Sequence, residues 1–185
     1  MNSISKCYKS KMNKTHDKNV DCNDTCEHPK PGKVLLRCNN AEFGPTNITF
    51  VAANTSVTIN KPIASVTVDT ARLCNPDVLI DFAGTLTIRI VSAAVIATFN
   101  FTLYKTCKGI AAPIPLTTFT FSAVNFLTTF PDSRSLKFEY SSCDDIYEDC
   151  CTYILELTSI SSFTTGDINA SISGKLCALV VESPK

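Results

Sequence analysis

Short runs rich in Val, Ile, Thr, Phe and Tyr recur from Lys33 to the end of the chain, and they limit its fold more than any other feature. Many of these runs alternate apolar side chains with polar ones or threonine, as residues 99–103 (FNFTL) do, which is the period of a half-buried strand. Breaks such as NKP, CNP, KGIAAPIP and FPDSRS recur at intervals that suit a β-sandwich. No stretch shows a helical face with caps. The sequence therefore predicts an all-β protein, built as a single jelly-roll-like β-sandwich domain.

The runs that we predict to be strands share this composition, and no internal repeat relates them. In chain order they read KVLLRC, TNITFV, TSVTIN, IASVTVDT, DVLIDFAG, TLTIRIV, ATFNFTLYKTC, LTTFTFSAV, SLKFEYSSC, CTYILELTSI and INASISGKLCALVV. Together they make residues 33–185 long enough for one body with a sizeable core.

The first 32 residues differ in composition from the rest. Residues 1–30 carry six lysines against four acidic residues, a charge of +2, whereas the remainder carries eleven basic against thirteen acidic residues, a charge of −2. The stretch runs into a Pro/Gly break, EHPKPGK. We predict that residues 1–32 are a flexible, extended, cysteine-containing N-terminal connector arm, which the body attracts weakly at low salt.

Charge and hydropathy argue against two classes of partner. The 17 basic residues balance the 17 acidic ones, so no electrostatic case for nucleic acid arises. The longest weakly apolar run, SAAVIATFNF, is too short to span a bilayer, so we expect no membrane insertion. The first twenty residues contain no apolar stretch that could form the core of a signal peptide, so we expect a soluble protein made without a recognisable one.

The chain has ten cysteines, a density that suits a disulfide-linked extracellular protein. This conflicts with the missing signal, and three explanations stay open. The thiols bind metal, a leader is missing, or the protein meets oxidising conditions only after its cell lyses, as when a bacterial mother cell releases a spore. The cysteines are Cys7, Cys22, Cys26, Cys38, Cys74, Cys107, Cys143, Cys150, Cys151 and Cys177.

The odd number of cysteines in each part of the chain limits which disulfides can form. The arm holds three cysteines and the body seven, so neither set can pair fully within itself. Either each part keeps a free thiol, or at least one bridge joins an arm to a body, its own or that of another subunit. Cys150 and Cys151 are adjacent, and side chains of strand neighbours point to opposite faces. We expect one of them to bond inside the sandwich while the other faces outward, toward an arriving arm.

Metal binding is a weaker alternative for the arm. Cys22, Cys26 and His28 have the short spacing of zinc ligands, but the second close pair of a structural site is absent. The acidic stretch 144–149 matches no calcium loop and is better explained as solvated. Both histidines lie in the predicted arm, where nothing orients them, and no Gly-rich phosphate loop is present. We expect no catalytic residue, no cofactor and no enzyme.

The runs KVLLRC, ASVTVDTARLCNPDVLIDFAG, FNFTLYKTC, SLKFEYSSCDD and EDCCTYILELT resemble a family of uncharacterised small proteins from spore-forming clostridia, in similar order across most of residues 33–181. In overall design the chain is also similar to subunits of bacterial endospore appendages. Those subunits pair a jelly-roll body with a flexible N-terminal connector whose cysteines cross-link stacked subunits into fibres. Their connectors typically contain an adjacent cysteine pair, whereas here the adjacent pair lies in the body.

The resemblance implies a structural, pilin-like subunit with Cys7, Cys22 and Cys26 as connector cysteines. We therefore expect a self-assembling, head-to-tail homopolymer at a spore or cell surface, with other spore-surface proteins as further partners. The interchain disulfide candidates are Cys7, Cys22, Cys26, Cys150, Cys151 and Cys177. The other disulfide candidates are Cys38, Cys74, Cys107 and Cys143. Two alternatives stay open: a spore-coat or carbohydrate-binding sandwich with Tyr104, Tyr140, Tyr147 and Tyr153 for sugar stacking, and a metal-binding protein using the arm.

Overall fold

The computed structural model describes residues 34–70, 73, 76–92, 95–108, 112–124, 131–143 and 150–182, so the predicted arm lies outside the described residues. Within these ranges no helix is long and apolar enough to cross a membrane. The strands are β1 (Val34–Phe50), β2 (Thr55–Asp69), β3 (Pro76–Ser92), β4 (Ile96–Cys107), β5 (Ile114–Val124), β6 (Asp132–Cys143), β7 (Cys150–Ser162) and β8 (Gly166–Glu182).

The strands form two four-stranded sheets. Sheet A has the order β1-β8-β3-β6 and sheet B the order β2-β7-β4-β5. Every pair of neighbours is antiparallel. Eight strands that cross between two packed sheets in this order form a jelly roll, with two interleaved Greek keys. The prediction of an all-β, jelly-roll-like sandwich is confirmed.

Eleven predicted runs become eight strands because some breaks in the sequence do not end the pairing. In β1 a cis Gly44–Pro45 bond accompanies a register shift, after which the ladder to β8 resumes. In β2 the pairing with β7 shifts register twice around the NKP break, between Thr58 and Lys61 and between Pro62 and Ala64. Asn60, in this break, has a φ of 46°. Both are edge strands, where proline and irregular backbone are tolerated on the unpaired side. The prediction that NKP separates two strands was therefore wrong.

One face of each strand enters a shared core. On β4 the inward residues Phe99, Phe101 and Leu103 are almost fully buried, as the alternation in the sequence predicts. Fully burying a side chain of this kind contributes about 1.5–3 kcal/mol to stability. The two sheets also meet through aromatic rings, because Phe138 of sheet A lies 4.8 Å from the Phe119 ring of sheet B and 5.5 Å from Phe82 of its own sheet.

Two glycines allow close approach at the middle of sheet A. Gly84 on β3 and Gly174 on β8 are directly paired. A Cβ atom added at Gly174 would lie 2.5 Å from the carbonyl oxygen of Ala83, and one at Gly84 would lie 2.7 Å from the ring of Phe82. A side chain at either position would therefore displace backbone or the aromatic cluster, so the pair keeps β3 and β8 in register.

Candidate functional site

The strand register brings the described cysteines to one end of the sandwich. β1 begins at this end and β8 finishes there, because Val34 pairs with Val181. Asp77 pairs with Cys143 in sheet A, and Asp69 pairs with Cys150 in sheet B. The cysteines of this region are Cys38, Cys107, Cys143, Cys150, Cys151 and Cys177. We call it the cysteine-bearing end. The opposite, distal end has no cysteine among the residues described.

Cys107 and Cys151 form a disulfide inside the sandwich, which we call the inner bridge. They face each other on β4 and β7, the two central strands of sheet B, with Cα atoms 4.1 Å apart. The two residues are 6% and 5% exposed. Facing positions on antiparallel strands are close enough for a disulfide without backbone movement. The inner bridge is thus part of the core.

Cys38 and Cys177 form a second disulfide, the outer bridge, between edge strand β1 and β8. It lies on the outer face of sheet A, where Cys38 is exposed and Cys177 half-buried. Asp81 and Glu139 continue the same row on β3 and β6. The hydrogen bond from Lys137 to Glu139, 2.7 Å long, and the charge of that carboxylate raise the pKa of Lys137. The outer bridge therefore joins solvent-facing strands beside charged groups.

Cys150 carries a free thiol. Because Cys151 points into the core, Cys150 points out of sheet B, and it is half-buried. Its carbonyl oxygen accepts a hydrogen bond of 3.2 Å from the backbone N–H of Lys108, which fixes the start of β7 against the end of β4. The two adjacent cysteines thus serve opposite faces at one level of the sheet, one bonded inside and one open to the outside.

The structure corrects two of the interchain candidates. Cys151 is bonded to Cys107 and Cys177 to Cys38 within the same chain. The physical reason is register, since each of these residues lies directly opposite another cysteine on the neighbouring strand. Neither thiol is available to an arriving arm in this state.

The remaining sequence-predicted residues divide by location. The strand position of Cys143 at the end of β6 is described, and Cys7, Cys22, Cys26, Cys74 and His28 lie outside the described residues, as does the acidic stretch 144–149. In the part of the chain that the structure describes, no group of three or more His, Cys, Asp or Glu side chains could hold a metal ion. The metal alternative that uses Cys22, Cys26 and His28 lies outside the described residues.

The tyrosines suggested for sugar stacking are scattered. Tyr153 is 1% exposed and Tyr140 packs inward against the core, so neither presents a ring to a ligand. Tyr104 lies half-buried on the outer face of sheet B, and Tyr147 falls outside the described residues. A stacking platform for a sugar chain needs more than one accessible ring in a row, and the described tyrosines do not form one.

Two cavities among the described residues are poor in titratable groups. A shallow groove of about 450 Å³ is lined by Asn39, Asn40, Pro62, Ile63, Ala64 and Ser65, none of which is titratable. A void of about 10 Å³ in the core is lined by apolar and aromatic side chains. An active site typically combines a concave pocket with titratable side chains, and these two spaces do not provide that combination.

The model of the family described as "Domain of unknown function (DUF4489)" matches residues 33–181. The chain belongs to that family. The match covers all eight strands except the last residue of β8, and it contains both bridges and Cys150. No curated protein matches the chain.

Several solved structures match this chain at low identity and low TM-score. The infectious bursal disease virus Gx strain structure has 15% identity and a TM-score of 0.43, covering 85% of this chain and 34% of that one. This chain thus spans about a third of the length of the viral chain. Desmodium yellow mottle tymovirus has 9% identity and a TM-score of 0.26 over 86% and 93% of the two chains. Eiger TNF from S. frugiperda has 13% identity and a TM-score of 0.30 over 83% and 94%.

Sequence reasoning missed the two pairings and a buried lysine. Lys105 is 5% exposed and lies on the inward row of β4 between Leu103 and Cys107, opposite Tyr153 on β7. The alternation that placed residues 99–103 could have placed Lys105 inward as well. The pairings carried no such signal, because they depend on which strands become neighbours.

Proposed function

We propose that this protein is a structural subunit that self-assembles into a disulfide-cross-linked extracellular fibre, of the endospore-appendage or pilus-like kind. The observation that carries the proposal is the free, outward-facing thiol of Cys150 at the end of the sandwich where residues 1–33 join the body. In this proposal an arm cysteine of one subunit bonds to Cys150 of another, and the arm connects subunits covalently.

Chain length supports such a connection. Cys7 precedes Val34 by 27 positions (34 minus 7), so an extended arm reaches roughly 90 Å from the body. The longest strands have 17 residues, which makes the body roughly 55 Å long. Cys26 precedes Val34 by 8 positions (34 minus 26) and reaches roughly 27 Å at most. Cys7 can therefore reach past the full length of a neighbouring body. Cys26 can reach only a body that directly contacts the one carrying it.

Cysteine use in the body also favours a covalent role. The two bridges within the body fix β1 to β8 and β4 to β7. They stabilise the fold without using the thiol that faces outward. Two thiols form one disulfide by losing two electrons and two protons to an external oxidant, such as dioxygen or a small-molecule disulfide. Such an oxidant is available outside a cell, so we place the fibre at a spore or cell surface.

The test compares the oxidised full-length protein with the variant Cys150→Ser. We expect the wild type to give filaments by negative-stain microscopy and a ladder of covalent oligomers on non-reducing gels, which reductant collapses to monomer. Cys150→Ser should lose most of the ladder. Thr152→Ser, two residues along the same outward row, is the matched control and should keep it. A wild type that stays monomeric without reductant and forms no filaments would refute the proposed function.

A further inference from the structure

Large apolar side chains that are exposed occur at both ends of the sandwich. At the distal end they are Val51, Val91 and Phe163, which we call the distal tip. At the cysteine-bearing end most of them lie on the outer face of sheet A, near the outer bridge, and Ile114 lies on edge strand β5 of sheet B. Single exposed apolar residues need no explanation, but grouping at two opposite ends points to contacts.

Phe163 is held in place although it is 61% exposed. Its backbone N–H donates to the carbonyl oxygen of Ile96 over 3.3 Å. On either side, the hydroxyl of the buried Ser162 donates to the carbonyl oxygen of Thr164 over 2.8 Å and accepts from the Thr164 N–H over 3.1 Å. The turn is therefore fixed, and presenting its ring to a partner costs little further backbone entropy.

Val51 occupies a similar position on the neighbouring turn. It is 87% exposed and follows β1, whose last residue Phe50 pairs with Gly166 beyond the Phe163 turn. The Thr55 hydroxyl closes this second turn by donating to the carbonyl oxygen of Ala52 over 2.6 Å. Two ordered turns at the distal end thus each present an exposed apolar side chain.

The opposite end carries an apolar patch on a sheet face. Leu36, Leu179 and Leu79 lie side by side on β1, β8 and β3, and Val34 pairs with Val181 in the next outward row. Leu36 and Val34 are more than half exposed. We call these five residues the apolar patch. It adjoins the point where residues 1–33 enter the body.

We propose that the distal tip of one copy of this chain packs against the apolar patch of the next copy. A single body cannot bring its own two ends together, because they are separated by most of a strand of 17 residues. Residues 1–33 are rich in lysine and other polar residues and so are a poor cover for the patch. A second copy supplies a tip with matching apolar character.

The contact joins two different surfaces, so it does not close on itself and it propagates as a filament. This inference rests on the proposed fibre function and adds the non-covalent contact that aligns copies before disulfides form. It also places the arm at each junction, because residue 34, where the arm joins, is itself in the patch. From there, the reach of Cys7 exceeds the length of one neighbouring body.

The test uses full-length protein with two paired variants. Val51→Thr with Phe163→Ser removes the tip, and Leu36→Ser with Leu79→Thr removes part of the patch. Ile114→Thr, which changes an exposed apolar residue outside both surfaces, is the matched control. We expect each paired variant to raise the concentration needed for filaments at least tenfold, and the control to leave it unchanged within twofold.

A mixture of the two paired variants sharpens the test, with free thiols blocked by alkylation so that no interchain disulfide forms and both bridges stay intact. Each variant keeps one intact surface, so a tip-to-patch contact predicts discrete heterodimers by light scattering and no filaments. If the wild type forms filaments and covalent ladders but the tip variant does so equally well, this inference is overturned and the proposed function stands. The tip-to-patch inference would also be overturned by a dimer formed through two distal tips, or by binding of an arm peptide to the apolar patch. A wild type with neither filaments nor ladders would overturn both.

Discussion

The two disulfides have the same backbone spacing and opposite surroundings. Both join directly facing strand positions, and in both the Cα atoms are 4.1 Å apart. The inner bridge lies among core side chains, whereas Cys38 of the outer bridge is exposed on sheet A. Because the alternation of a strand decides which face each thiol occupies, the same local geometry yields one bridge that solvent cannot reach and one that it can.

This difference separates stability from accessibility. In the chain-entropy account, a closed loop of 44 residues stabilises by about 4 kcal/mol and one of 139 residues by about 5 kcal/mol. The two bridges should therefore contribute similar amounts to the free energy of unfolding. What distinguishes the two bridges is how fast a reagent in solution reaches each disulfide.

The largest expected effect is on reduction rate. In native buffer a phosphine reductant should open the outer bridge at least about a thousandfold faster than the inner one, because the inner bridge requires the sandwich to open first. The measurement is a time course quenched by alkylation, followed by peptide mapping of Cys38 and Cys107. Equal labelling rates at the two positions would contradict the account.

Removal of either bridge should lower the free energy of unfolding substantially. We expect a loss of about 5 kcal/mol for Cys38→Ala with Cys177→Ala, and about 4 kcal/mol plus lost packing for Cys107→Ala with Cys151→Ala. Denaturant unfolding of the two double variants measures both values. A loss below about 1 kcal/mol at either bridge would show that it does not constrain the unfolded chain.

Serine in place of alanine should distinguish the two environments. At the inner bridge, Cys107→Ser with Cys151→Ser should be about 1–3 kcal/mol less stable than the alanine pair, because a single hydrogen bond between the two facing hydroxyls only partly offsets the cost of burying both. At the outer bridge the serine and alanine pairs should differ by less than about 0.5 kcal/mol. The same unfolding experiment provides the comparison, and equal differences at both sites would place both bridges in similar surroundings.

Much of the fold followed from the sequence because alternation is a local property. The row of residues 99, 101 and 103 on β4 reads directly as a buried face, and the structure confirms it. The strand count was three too high. Pro45 and Pro62 lie in edge strands that tolerate irregular backbone, and the two runs that meet at Gly84 form the single strand β3. A local pattern does not reveal whether the partner strand resumes its register beyond a proline.

The candidate site was less predictable for a similar reason. The opposite directions of Cys150 and Cys151 follow from the strand period alone. Which of them faces the core depends on the register of β7 against β4, which brings Cys107 opposite Cys151. In the same way Cys177 meets Cys38 through a pairing of strands 139 residues apart in sequence. Such long-range pairings decided two assignments that parity left open.

The smallest expected effect on stability belongs to Cys150, whose thiol takes part in neither bridge. Cys150→Ser should change the free energy of unfolding by less than about 0.5 kcal/mol, because the side chain is half-buried on an outward face. Denaturant unfolding of the monomer, with both bridges intact, checks this. A loss of more than about 2 kcal/mol would mean that the thiol serves the fold rather than assembly.

The most direct test of the central claim is peptide mapping of oxidised, assembled protein made from equal parts of ¹⁴N- and ¹⁵N-labelled chains. The account predicts that Cys107–Cys151 and Cys38–Cys177 peptides carry a single isotope label, since both bonds lie within a chain. Cys150 should appear bonded to an arm cysteine, with half of those peptides carrying mixed labels. Where copies stack tip to patch that cysteine should be Cys7, because its reach exceeds the length of a body. If Cys150 is instead recovered as a free thiol in assembled protein, or bonded only within its own chain, the claim that it cross-links subunits is wrong.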